Sequence, residues 1–227
     1  MFCRLTFFAC AWMLLTGTSL VAAEKSQLPL VFEDDFEQGA DRWQPTDAGA
    51  WKITETDRGK VYDQFKGSKY KPPHRSPLNI SLAKGARSLQ VGSFVLTVKA
   101  RSTCRDYGHR DMCLFFGYRD PAHFYYVHLG KKADPHANQI FIVNEADRTM
   151  ITKKQSPGTP WDDKWHEVKI IRKGADGAIE VYFDDMEKPA MTAVDKTFTS
   201  GQVGLGSFDD TGNWDDFKLW GVTPDKQ

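Results

Sequence analysis

The stretch Asp111 to Val143, DMCLFFGYRDPAHFYYVHLGKKADPHANQIFIV, does most to limit what this chain can become. Two runs of alternating aromatic and aliphatic residues flank a four-residue break, Asp120-Pro121-Ala122-His123, and a third apolar run follows. Asp hydrogen-bonds its own following backbone and Pro presets φ, so the break reads as a turn. Side chains alternate across a strand, which sorts the hairpin into two faces. A register opposing Arg119 to Phe124 sets Tyr118 against Tyr125, Gly117 against Tyr126 and Phe115 against His128. Leu114, Phe116, Tyr118, Tyr125, Val127 and Leu129 then form the expected core face. Phe115, Arg119, Tyr126 and His128 form the other. A face that only meets solvent has no need of rings, so this second face is the expected ligand surface.

The same punctuation runs through the chain from Leu28 onward. Short β-prone runs are separated by Gly, Pro, Asp and Asn, the pattern of an all-β sandwich. LVFEDDFE is a first strand. Phe94, Leu96 and Val98 face one way in the strand SFVLTVKARS, as do Val168 and Ile170, and as do Ile179, Val181 and Phe183. Lys60 to Asn79, rich in Lys and Pro, reads as a long surface loop. No repeat or linker divides the chain, so residues 24–227 are expected to be one domain.

Residues 1–23 carry one charge, Arg4, an apolar run and the small-residue ending Val21-Ala22-Ala23, the pattern of a secretory signal peptide. The apolar run falls short of the about 20 residues a spanning helix needs, and no later segment reaches that length. The expectation is a secreted or periplasmic protein without a membrane span. Lys and Arg number 30 against 30 Asp and Glu, a balance that argues against a nucleic-acid partner. Cys104 and Cys113 remain beyond the signal peptide and, in an oxidising compartment, are expected to form a disulfide.

The order GYRDPAHFYYVHLG, WHEVKIIRKG, IEVYFDD, GQVGLGSF and DDFKLWG resembles the laminin G-like branch of the concanavalin A-like lectin/glucanase superfamily. It is also similar to secreted bacterial three-keto-disaccharide hydrolase and family 16 glycoside hydrolase-like domains. The resemblance implies a two-sheet antiparallel jelly roll whose concave sheet meets carbohydrate. It implies no single activity, because such folds host many.

Three constellations bear on chemistry. Glu33, Asp35 and Glu37 repeat the E-x-D-x-E spacing of family 16 hydrolases, but at the wrong end of the domain for a groove. The resemblance offers them another role. Related carbohydrate-binding sandwiches hold a structural calcium between an F-E-x-G segment and a C-terminal Asp-Asp strand. Here those would be Asp35, Glu37 and Gly39 with Asp215 and Asp216, supplying oxygens at about 2.3–2.6 Å. Solvated edge charge is the alternative.

The second constellation is the face of Phe115, Arg119, Tyr126 and His128, with His109 and Arg110 nearby. Rings stack on sugars, and Arg takes a carboxylate through two parallel hydrogen bonds, which suits an acidic polysaccharide. Catalysis on this face would fall to His128, Tyr126 and Arg119. The third is the loop Phe208 to Trp214, where Asp209, Asp210 and Trp214 suit either ligand contact or an Asx-turn. The expected function is carbohydrate binding; a glycan-degrading hydrolase or lyase and an adhesion module are the alternatives. Each makes its own demand: two converging titratable groups, a ring platform with donors, or a broad apolar patch.

Overall fold

The computed structural model describes residues 28–84 and 89–224. The signal peptide, with Cys3 and Cys10, lies outside them. Sixteen strands make up two antiparallel sheets. In chain order they are β1 (Leu30–Asp34), β2 (Trp43–Pro45), β3 (Trp51–Thr56), β4 (Gly59–Gln64), β5 (Asn79–Ala83) and β6 (Phe94–Ser102). Then come β7 (Asp111–Asp120), β8 (His123–Gly130), β9 (Gln139–Asn144), β10 (Thr149–Met150) and β11 (Thr152–Gln155). The last five are β12 (His166–Lys173), β13 (Ala178–Phe183), β14 (Met191–Val194), β15 (Gln202–Ser207) and β16 (Gly212–Gly221). One sheet runs β11-β14-β13-β12-β6-β16-β4-β3 with β1 added against β16, and the other runs β10-β9-β8-β7-β15-β5-β2. This is a jelly-roll β-sandwich. The chain changes sheet between β10 and β11, on either side of Ile151.

The alternation seen in the sequence builds the core between the sheets. Val98 and Leu96 of β6 oppose Val168 and Ile170 of β12, and Ile179, Val181 and Phe183 join them. From the seven-stranded sheet Leu114, Phe116, Tyr125, Val127 and Leu129 point into the same cluster. Burying each such side chain stabilises the fold by about 1.5–3 kcal/mol.

Three local expectations are corrected. The hairpin register is Phe116 to Tyr125, Phe115 to Tyr126 and Cys113 to His128, with Asp120 opposite His123. The shift between Phe116 and Asp120 is an irregularity in which Gly117 adopts φ +57°. It turns Tyr118 out of the inter-sheet core and onto the opposite face, where it stacks on Phe124. Second, β1 ends at Asp34 and Phe36 takes φ +58°, so Glu33, Asp35 and Glu37 do not share one strand face. Third, Lys60 to Gln64 belong to β4, and the surface segment begins at residue 65.

Candidate functional site at the rim of the seven-stranded sheet

The outer face of the seven-stranded sheet is a second interior. Phe115, Tyr126 and Phe141 stack across β7, β8 and β9, with ring centroids 6.0 and 5.1 Å apart. Cys113, Phe124, Val143, Ile80 and Leu82 complete a buried cluster, and Tyr70 of the segment 65–78 packs on it. That segment is pinned on the far side of the sheet. Leu78 N–H donates to the Phe208 carbonyl, Arg75 N–H to Asp147, and Arg148 N–H to the Arg75 carbonyl. Phe115 and Tyr126 are therefore on the predicted face and pointed away from the inter-sheet core, but neither ring reaches solvent.

His128 is also buried, at 3% exposure, and its two nitrogens are both engaged. Nδ1 accepts the Asn138 N–H at 3.3 Å, and Nε2 lies 2.7 Å from Asp111 Oδ2. A nitrogen that accepts from a backbone N–H carries no proton, so the proton sits on Nε2 and is donated to Asp111. Cys113 approaches the same point, and its Sγ, a ring nitrogen of His128 and an Asp111 oxygen lie within 4.8 Å of one another. Such a trio resembles a metal-ligand set. An ion on Nε2, however, would leave the ring proton on Nδ1, facing the Asn138 N–H. His128 and Asp111 form a hydrogen-bonded clasp, with Cys113 packed beside it.

The same clasp orders the loop after β15. Asp111 Oδ1 accepts the Phe208 N–H at 3.0 Å, and Asp111 N–H donates to Asp210 Oδ2 at 2.7 Å. Asp210 Oδ1 accepts from the Tyr107 hydroxyl at 2.8 Å and from the Cys104 thiol at 3.0 Å. Asp210 is thereby a structural acceptor, and it holds Phe208 and Asp209 at the rim. Phe208 is half-buried and lies 6.2 Å from the His128 ring. The Arg148 guanidinium sits 4.5 Å from the Phe208 ring and 4.9 Å from Phe141, and donates to the Tyr126 hydroxyl at 3.0 Å. Asp209 is an exposed residue. Partial withdrawal of its carboxyl from water, then the charges of Asp111 and Asp210, hold its pKa above the usual carboxylate range, with His128 and His109 pulling the other way. His109 is exposed and pairs with Asp134 Oδ2 at 3.0 Å.

Of the predicted ligand residues, then, His109, His128, Asp209 and Asp210 meet at one rim, with Tyr126 and Phe115 beneath. The others lie elsewhere. Arg119 is exposed at the far end of the hairpin, 5.0 Å over Phe198. Arg110 alternates with Asp111 and points the other way. It is buried, donating to Ser102, to the Asp162 carbonyl and to Asp163, and it lines a separate cleft of about 860 Å³. Trp214 is fully buried between the sheets. Cys104 and Cys113, expected to form a disulfide, are both free thiols. Cys104 is tied to Asp210, and burial pushes its thiol up to about 11, while Cys113 is sealed in the aromatic cluster, where burial holds its thiol well above the ordinary value.

The groups expected to hold calcium divide. β1 does lie against β16, as the first and last strands were expected to. Asp35, Gly39 and Asp216 line one groove of about 500 Å³. Glu37 turns to the Lys60 N–H at 3.0 Å. Arg58 bridges Asp215 at 2.7 Å and Asp216 at 2.5 Å.

Sequence reasoning missed Asp111, Arg148, Phe141, Asp134 and Gln139. Asp111 and Cys113 were within reach, since they alternate with Phe115 on one strand. Arg148 gave no signal, because only the return of the chain from β9 to β10 brings it over Phe208.

A scan against protein-family models finds no match, and a search of curated proteins finds none. Solved structures do match. A carbohydrate-binding module of family 66 from Bacillus subtilis superposes with a TM-score of 0.56 at 17% identity, over 79% of this chain and 95% of that one. Domain 4 of AbnA, a family 43 extracellular arabinanase from Geobacillus stearothermophilus solved with arabinotriose, gives 0.54 at 13% identity, over 86% and 93%. A Bacillus subtilis protein with a galectin-like fold gives 0.56 at 11% identity, over 86% and 98%. These likenesses show the jelly-roll β-sandwich fold.

Proposed function

We propose that this chain is an exported carbohydrate-binding β-sandwich whose site is the rim formed by Phe208, Arg148, Asp209 and His109. The observation that carries the reading is Arg148 held between Phe141 and Phe208, with Asp209, an exposed residue, next to Phe208 in the chain. A half-buried ring offers a stacking face, and fixed donors and acceptors beside it can meet sugar hydroxyls. The neighbours of like fold include a carbohydrate-binding module and an arabinanase domain solved with arabinotriose, which supports the class of ligand.

A glycan-cleaving activity is the second reading, favoured by the raised pKa of Asp209, which suits a proton donor, next to the His109–Asp134 pair. His128 and Tyr126 are poor agents for it, because their polar atoms are already committed to Asp111, Asn138 and Arg148. Arg119 is too far along the hairpin. A glycan array probed with the protein lacking residues 1–23 tests the main reading: binding to some glycans is expected, and its loss in Phe208→Ala. Silence on every glycan removes it. Release of reducing ends from a bound glycan, abolished in Asp209→Asn, would move the protein to the second reading.

A further inference from the structure

We infer that a second ligand site lies at the end of the sandwich where β6 leads into β7, a cleft that takes the carboxylate or sulfate group of an acidic oligosaccharide. That the ligand is a sugar rests on the glycan-binding reading; that it is an anion rests on the cleft alone. The cleft measures about 860 Å³, and Arg101, Arg105, Arg110 and Lys131 supply its cations. Three carboxylates line it too, and each already has a cationic partner. Asp106 pairs with Lys131, Asp163 with Arg110 at 3.0 Å, and Asp162 with Lys164 at 3.5 Å. Arg105 is exposed and forms no ion pair among the described residues; its guanidinium lies 5.6 Å from the Tyr107 ring.

Arg101 and Arg105 are also held in place. Arg101 Nε and Nη2 donate to Asn213 Oδ1 at 3.2 and 2.8 Å, and its guanidinium lies 4.8 Å from the Trp165 ring. Its Nη1 is left over: the nearby carboxylate, Asp57, stands 3.6 Å away, beyond hydrogen-bond length, on a side chain that is 75% exposed. Arg105 sits on an anchored backbone, since Cys104 before it and Tyr107 after it both donate to Asp210. Donors fixed in advance cost little ordering when a ligand arrives. Exposed ion pairs contribute little, and the Asp163 side chain is 96% exposed, so an incoming anion displaces Asp57 and Asp163 at small cost. A guanidinium meets a carboxylate or a tetrahedral oxyanion through two parallel hydrogen bonds, a match that an uncharged hydroxyl does not make.

Titration calorimetry at low salt and pH 7 tests the inference with two sets of oligosaccharides, oligogalacturonates with sulfated oligomers and neutral gluco- and arabino-oligosaccharides. The acidic set should bind about tenfold more tightly than the neutral set, the factor that one charge-assisted hydrogen bond supplies. Salt at about 1 M, where charges act over only about 3 Å, should close that gap. Arg105→Ala, at an exposed position, should lose most of the gap with the melting temperature unchanged, and Phe208→Ala should keep it. Acidic oligomers bound no more tightly than neutral ones, or a gap that survives in Arg105→Ala, overturns the inference and leaves glycan binding at the rim standing. A single-stranded DNA oligomer bound more tightly than either sugar set overturns the assignment to carbohydrate. No binding in any set overturns both readings.

Discussion

Asp209 shows how a single side chain can be costly to the fold and useful at its surface. Its pKa is held above the unfolded value. Its favourable contribution is therefore present below the unfolded pKa and is lost as pH rises through the folded one. Asp209→Asn removes that loss, so the variant should melt higher than the parent at pH 7. The gap should close by about pH 4, where the unfolded carboxylate also protonates. A lower melting temperature at pH 7 in calorimetry would show that Asp209 makes a stabilising contact instead. At this scale the sequence told residue types better than their freedom. The alternation that put Tyr126 and His128 on one face could be read directly. Their burial could not: Tyr126 lies in a cluster on which Tyr70, far earlier in the chain, packs, and His128 is enclosed by Asp111, Asn138 and Phe208. The pairing of the cysteines failed for a related reason: Cys113 faces the aromatic cluster and Cys104 the Asp210 carboxylate.

At the level of strands, periodicity located most elements, left β4 inside a loop and misjudged where two others bend. β7 was read as regular through Arg119, yet Gly117 interrupts it. A Cβ at that position would lie 3.0 Å from the Tyr125 ring, with the backbone at φ +57°. Gly117→Ala should destabilise the protein by roughly 1–2 kcal/mol, the cost of a left-handed non-glycine residue. Urea denaturation measures it, and a neutral result would mean that the hairpin can recover a regular register. β1 was likewise drawn too long. Nothing in LVFEDDFE marks the left-handed turn at Phe36, which is imposed where Asp34 accepts the Phe36 N–H and the Trp43 indole N–H.

The assembled sandwich was the most legible feature, because two layers of alternating strands have few other ways to bury their apolar faces. The junction of its first and last strands was anticipated too, though not the way its charges are balanced. Arg58 already supplies a counter-charge to Asp215 and Asp216. A chelator should therefore leave the melting temperature unchanged, while Arg58→Ala should cost roughly 1–3 kcal/mol, the range for hydrogen bonds to charged groups. A melting temperature that falls with chelator and returns with calcium would restore the ion, with Asp35, Gly39 and Asp216 as the groups around its groove. The segment 65–78 has the widest consequence. With Tyr70 packed on the aromatic stack, Phe115, Tyr126 and Phe141 are withheld from solvent and cannot serve as ring platforms. A sugar bound on this side would rest on the rim around Phe208 and not on the broad face of the sheet.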